Sequence, residues 1–108
     1  MATRYHNITG STGVTVELLK PGDGVSGIKS IMITNTHASA AATVTLFLQT
    51  TVSSALKNYK MLNTVNIPAK VSLLLDEPSM FKFPNHANGY GLYITVGSSD
   101  TLDVLINL

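Results

Sequence analysis

The sequence predicts an all-β domain: a two-sheet antiparallel sandwich of seven to eight short strands, connected as a jelly roll or Greek key. Three observations carry that expectation. Apolar and polar residues alternate with the period of a half-buried strand along most of the chain. Turn-forming residues recur about every ten positions. No stretch has the spacing of an amphipathic helix. A closed barrel is the alternative architecture, and no self-similarity at the periods of solenoids or propellers competes with either. At 108 residues the chain is expected to form one domain, 1–108, because either half alone would bury too small a core.

The elements follow in order. Val14, Val16 and Leu18 alternate with Thr15 and Glu17, which predicts a strand. Lys20-Pro21-Gly22-Asp23-Gly24 ends it, since proline fixes φ and the glycines accept positive φ. Residues 28–35 predict a central strand covered on both faces, because Ile31, Met32 and Ile33 are apolar in succession. Residues 35–42 are alanine-rich but short and uncapped, and predict a loop. Residues 43–50 place Val44, Leu46 and Leu48 inward, with Phe47 the one large apolar residue facing out. The pattern weakens over residues 51–63, where 55–61 are expected either to pair as a short edge strand or to bend across an end of the domain. Val65 and Ile67, then Val71, Leu73 and Leu75, predict two strands joined as a hairpin by Pro68-Ala69-Lys70. Residues 76–89, rich in Pro, Asn and Gly, predict the longest loop. Leu92, Ile94 and Val96 mark the next strand, residues 97–100 a turn, and Leu102, Val104, Ile106 and Leu108 a last strand running to the final residue.

Composition narrows the function. Apolar residues make up 44% of the chain and charged residues 12%, about half the usual share of charge. Thirteen Thr, ten Ser and eight Asn are left to cover the surface. Seven Lys and Arg against six Asp and Glu give a net charge of +1 without a basic stripe, which argues against nucleic acid as a partner. The absence of cysteine excludes a disulfide framework and thiolate metal ligands. No apolar run is long enough to cross a bilayer as a helix. Residues 1–7 lack the apolar region of a signal peptide, so synthesis in the cytoplasm is expected.

Chemistry is sparse. His6, His37 and His86 lie in separate segments and read as solvated histidines outside strand centres; a composite metal site would need them to converge. Asp76-Glu77 and Asp100 with Asp103 lack the alternating register of a calcium loop and read as turn caps. No Gly-x-Ser-x-Gly elbow is present, and the glycine-rich strings lack the lysine and helix of a phosphate loop. No cofactor, metal or catalytic residue is expected, and the chain is read as a non-enzyme. The better candidates are apolar groups outside the predicted core. Phe47, Met80, Phe81, Phe83, Tyr90 and Tyr93 are assigned to a protein interface, whose buried centre is typically aromatic and Met-rich. Phe81 and Phe83 carry an equal alternative, in which the loop folds back and plugs one end of the sandwich.

The strings Gly27-Ile28-Lys29-Ser30-Ile31-Met32-Ile33-Thr34-Asn35-Thr36, Ala42-Thr43-Val44-Thr45-Leu46-Phe47-Leu48 and Val65-Asn66-Ile67-Pro68-Ala69, leading into Leu73-Leu74-Leu75-Asp76, resemble small β-sandwich virion proteins of tailed bacteriophages. Among these are head decoration (cement) proteins of cyanophage type. The resemblance covers residues 14–106. It implies a capsid decoration subunit, a homo-oligomer such as a trimer, that binds the major capsid protein or another virion protein and resides in the virion. The competing expectation is a carbohydrate- or receptor-binding sandwich of a phage tail or fibre, stacking sugars on Tyr59, Tyr90 and Tyr93.

Overall fold

A computed structural model of the chain describes residues 3–10, 15–24, 27–50, 57–76, 82, 83, 85, 89–97 and 99–108. Eight strands form: β1 Thr3–Thr9, β2 Thr15–Leu19, β3 Ser30–Asn35, β4 Ala42–Thr50, β5 Lys57–Ile67, β6 Ser72–Leu75, β7 Gly91–Thr95 and β8 Thr101–Asn107. They make two antiparallel sheets ordered β1-β8-β3-β6 and β2-β7-β4-β5. Each strand of the first half pairs with its mirror partner in the second: β1 with β8, β2 with β7, β3 with β6, β4 with β5. The pairs β3·β8 and β4·β7 complete the two sheets. A long hairpin rolled upon itself gives this order, which is the eight-stranded jelly roll.

The inward positions are those the alternation predicts. Ile31 and Ile33, Val44 and Leu46, Leu92 and Ile94, and Leu102, Val104 and Ile106 are all fully buried between the sheets. β-Branched residues dominate, as suits a pleated core-facing surface. A bulge between Glu17 and Leu19 turns both Leu18 and Leu19 inward, since the extra residue of a bulge breaks the two-residue period. The turn after β2 has Gly22 at φ 96° and Gly24 at φ 76°, as its glycines foretell.

Five expectations need correction. Residues 3–9 form a strand that alternation does not announce, because two of its three inward positions, Arg4 and His6, are polar. β3 is central, but the outward Met32 is only half-buried, so its chain covers one face and not both. Residues 57–67 form one edge strand of eleven residues, longer than expected and bent where Thr64 adopts φ 58°. Nor do β5 and β6 make a hairpin. Lys70 at φ 65° turns the chain over the sandwich edge, and its N–H donates to the Asn35 carbonyl at 2.9 Å. The Pro68 connection therefore links strands of opposite sheets. β8 stops at Asn107, and Leu108 packs half-buried against the core. Val14 lies outside the described residues.

Asn35 anchors that corner. Fully buried, its Nδ2 donates to the carbonyls of Ala40 at 2.9 Å and Ile67 at 3.0 Å, and its Oδ1 accepts from His37 N–H at 3.0 Å. One side chain thus ties the end of β3, the following loop and the end of β5 together. Asn85 makes a similar tie between the residue after β2 and the residue before β7: its Nδ2 donates to the carbonyls of Lys20 and Tyr90.

Candidate functional site

The predicted interface residues separate into three places. Phe47 and Tyr93 face outward from the β2-β7-β4-β5 sheet, directly opposite each other in register, with Glu17 beyond Tyr93 and Lys60 beyond Phe47. The two rings stack at 5.8 Å with an 18° interplanar angle, and the Tyr93 hydroxyl donates to Glu17 Oε2 at 2.8 Å. Burial, then the hydrogen bond and negative charge of Glu17, push the Tyr93 phenol up to about 12. Phe47 is only 8% exposed. The expectation of a free Phe47 anchor is corrected: its neighbours in the same row already cover it.

Phe83 is likewise 8% exposed and belongs to the core. Asn85, two residues on, pins the segment to β2 and β7, so Phe83 plugs the sandwich instead of lining a surface. Tyr90 packs half-buried against the core and meets Tyr59 edge-on at 5.9 Å and 61°. Tyr59 is 51% exposed. Met80 and Phe81 lie outside the described residues.

The polar candidates are structural where they are described. His6 sits at the centre of β1, not in a loop, and its Nε2 donates to the Leu18 carbonyl at 3.1 Å, fixing the Nε2–H tautomer in the neutral ring. Burial lowers its pKa; the Leu18 bond opposes this and the Arg4 charge adds to it. Arg4, two positions earlier on the same inward face, pairs with Asp23 Oδ2 at 3.0 Å. Together they tie β1 to β2 and its turn. His37 Nδ1 accepts from the N–H groups of Ser39 and Ala40. Asp100 Oδ2 accepts from Gly97 N–H at 2.7 Å and Thr43 N–H at 3.1 Å, and so caps the turn before β8. Among the described residues no three His, Cys, Asp or Glu converge in a metal-binding group; His86 and Glu77 lie outside them.

Sequence reading missed the feature that stands out most. On the outer face of the β1-β8-β3-β6 sheet, Tyr5 opposes Leu105, Leu105 opposes Met32, and Met32 opposes Leu74. Four apolar side chains thus form one transverse row across all four strands. Tyr5 is 73% and Leu74 55% exposed, while Leu105 and Met32 between them are half-buried. On one side lie Thr3, Asn107 and Ser30, joined by Thr3 Oγ1 to Asn107 Oδ1 at 3.0 Å and Asn107 Nδ2 to Ser30 Oγ at 2.7 Å. On the other lie Asn7, Asp103, Thr34 and Ser72, joined by Asn7 Nδ2 to Asp103 Oδ1 at 2.7 Å and by the Thr34 and Ser72 hydroxyls at 2.7 Å. A solvated antiparallel face is normally polar. The signal lay in the strings Ile31-Met32-Ile33 and Leu73-Leu74-Leu75, whose middle residues face away from the core.

The architecture defines the chain as a jelly-roll β-sandwich. No protein-family model matches the sequence, and no curated protein does. Among solved structures it is similar to PirA, with a TM-score of 0.50 and 12% identity over 97% of this chain and 91% of that one. It is also similar to a chain of infectious bursal disease virus Gx strain, with a TM-score of 0.48 and 10% identity over 99% of this chain. The chain spans about a third of the length of the viral one, 33%. At these identities the likeness shows the fold alone.

Proposed function

We propose that this chain is a non-enzymatic virion structural protein of a tailed bacteriophage, a capsid decoration or cement subunit that binds the major capsid protein and stabilises the shell. It is made in the host cytoplasm and acts in the particle. The observation that carries this reading is the row Tyr5–Leu105–Met32–Leu74 on a sheet face, Tyr5 and Leu74 exposed and Leu105 and Met32 half-buried between them. Partly exposed aromatic, Leu and Met side chains rimmed by polar groups that bond one another are the make-up of an interaction surface. The jelly-roll frame and the resemblance of the strand strings to those of phage decoration proteins support the same reading. Mechanistically, a subunit that binds the mature shell and not its opened form stabilises the former by mass action, by about 2.7 kcal/mol per site at a hundredfold excess over Kd.

The test is removal and add-back on purified particles. Particles lacking the chain should release DNA at lower temperature and under milder osmotic shock, and added protein should restore both. Particles that never contain the chain, or lose it without any change in either property, would overturn the reading. A second reading, a carbohydrate-binding sandwich of a tail or fibre, is favoured by one observation: the exposed Tyr59 ring set edge-on against Tyr90 offers a face for a sugar. Saturable binding on a glycan array, lost in Tyr59→Ala, would replace the first reading with this one.

A further inference from the structure

The outer face of the β1-β8-β3-β6 sheet has a pattern that selects its occupant. Its ionised groups among the described residues are carboxylates: Asp103, to which Asn7 already donates, and the exposed Asp76 that follows β6. The face therefore offers nothing to an acidic partner such as nucleic acid or an acidic peptide. The opposite outer face differs: its aromatic pair is stacked and flanked by Glu17 and Lys60.

We infer that a second copy of this chain docks on this face, the two sheets packing face to face about a two-fold axis that runs along the strands between β8 and β3. Such an axis reverses the strand order and keeps each row level with itself. Tyr5 of one copy then meets Leu74 of the other, and Leu105 meets Met32, so the apolar row covers itself. In the adjoining row Asp103 meets Thr34 and Asn7 meets Ser72. Asp103 of each copy faces a hydroxyl and not its own counterpart, so this row sets a donor against an acceptor without like-charge repulsion.

Area sets the strength. Four strands about 4.8 Å apart, each presenting about six residues, cover a few hundred Å² per copy. A stable interface takes about 800 Å² per partner. The pair is accordingly weak in free solution and becomes effective where a shared surface concentrates the copies. An isologous face closes at two, so the unit is a dimer and not the trimer that the phage resemblance implies. The inference rests on reading the chain as an assembling subunit.

The experiment is sedimentation of the full chain over a dilution series from millimolar to micromolar. A reversible monomer–dimer equilibrium is expected, weakened at least roughly tenfold by Leu74→Asp and by Tyr5→Ser. Lys60→Glu, on the other sheet, should leave it unchanged. Both Leu74 and Tyr5 are exposed, so the melting temperatures of the variants should match the parent and exclude misfolding as the cause. A chain that stays monomeric at millimolar concentration overturns the inference, as does a dimer indifferent to Leu74→Asp. In the second case the assembling role survives and only the face is wrong. If Leu74→Asp abolishes add-back to particles while the parent is monomeric, the face docks the shell and not a second copy, which also overturns the inference.

Discussion

Replacing Asn35 with Ala should be among the most damaging polar substitutions in the chain. The side chain is fully buried and makes three hydrogen bonds, two donated by Nδ2 and one accepted by Oδ1. Alanine removes the donor to the Ile67 carbonyl at the fully buried bond, a loss of about 1–3 kcal/mol. The Ala40 carbonyl and the His37 N–H are partly reachable by water, and each loses about 0.5–1.5 kcal/mol. The sum is about 4 kcal/mol, with a span of roughly 2–6, against a total stability of roughly 5–15 kcal/mol for a domain. For a chain of this size that corresponds to a drop in Tm of roughly 16–32 °C. Urea unfolding followed by far-ultraviolet circular dichroism measures it, and the m-value should not change, because the surface exposed on unfolding is the same. Asn35→Asp preserves shape but sets carboxylate oxygens against two carbonyls, and should be at least as damaging. A loss below about 1 kcal/mol for Ala, or an Asp variant as stable as the parent, would refute the assignment of the corner to this side chain.

Gly91→Ala should lower stability by about 2 kcal/mol, measured by the same urea titration, because a Cβ there would stand 2.7 Å from the Leu19 carbonyl oxygen and 2.9 Å from Pro21 Cδ. Ile33→Ala, in the fully buried centre of β3, should cost about 2–5 kcal/mol in the same assay. His6 has a folded pKa below its unfolded value of 6.5, so acid protonates the unfolded chain first. Stability should be constant above the unfolded value, fall as pH drops through 6.5 toward the folded pKa, and level off below it; Tm against pH for the parent and His6→Gln checks this, the variant lacking that step. Tyr93 should ionise near pH 12 rather than 10, and Glu17→Gln should move the absorbance titration of its phenolate back toward 10 by removing the adjacent negative charge.

Much of the fold was legible because inward positions on six strands are aliphatic. Ile31 and Ile33, Val44 and Leu46, Leu92 and Ile94, and Leu102, Val104 and Ile106 announce themselves by alternation alone. β1 stayed hidden because Arg4 and His6 point inward at the sandwich edge, where Asp23 and the Leu18 carbonyl meet them; a periodicity of apolar residues cannot register a polar inward face. The Pro68 connection misled because tight-turn residues mark where a chain reverses and not which sheet it enters. That choice is made by Asn35, more than thirty positions away. At the site, Phe47 and Phe83 look like spare apolar groups in sequence, and only their cross-strand partner or their loop anchor reveals that they are already used.

The two outer faces show how far the same alphabet can diverge. On the β2-β7-β4-β5 sheet the large outward side chains complete one another: Phe47 lies on Tyr93, Tyr93 donates to Glu17, and Lys60 closes the row. On the β1-β8-β3-β6 sheet it is the polar rows that complete one another, Thr3 with Asn107 and Ser30, Asn7 with Asp103, Thr34 with Ser72. Several of their hydrogen-bonding groups are already paired within the face, so covering it sacrifices fewer bonds to water than covering an ordinary polar surface would. The row they flank is apolar and gains from being covered. Low desolvation cost beside unsatisfied apolar area is the combination that favours association, and among the described residues it occurs on this face and not on the other.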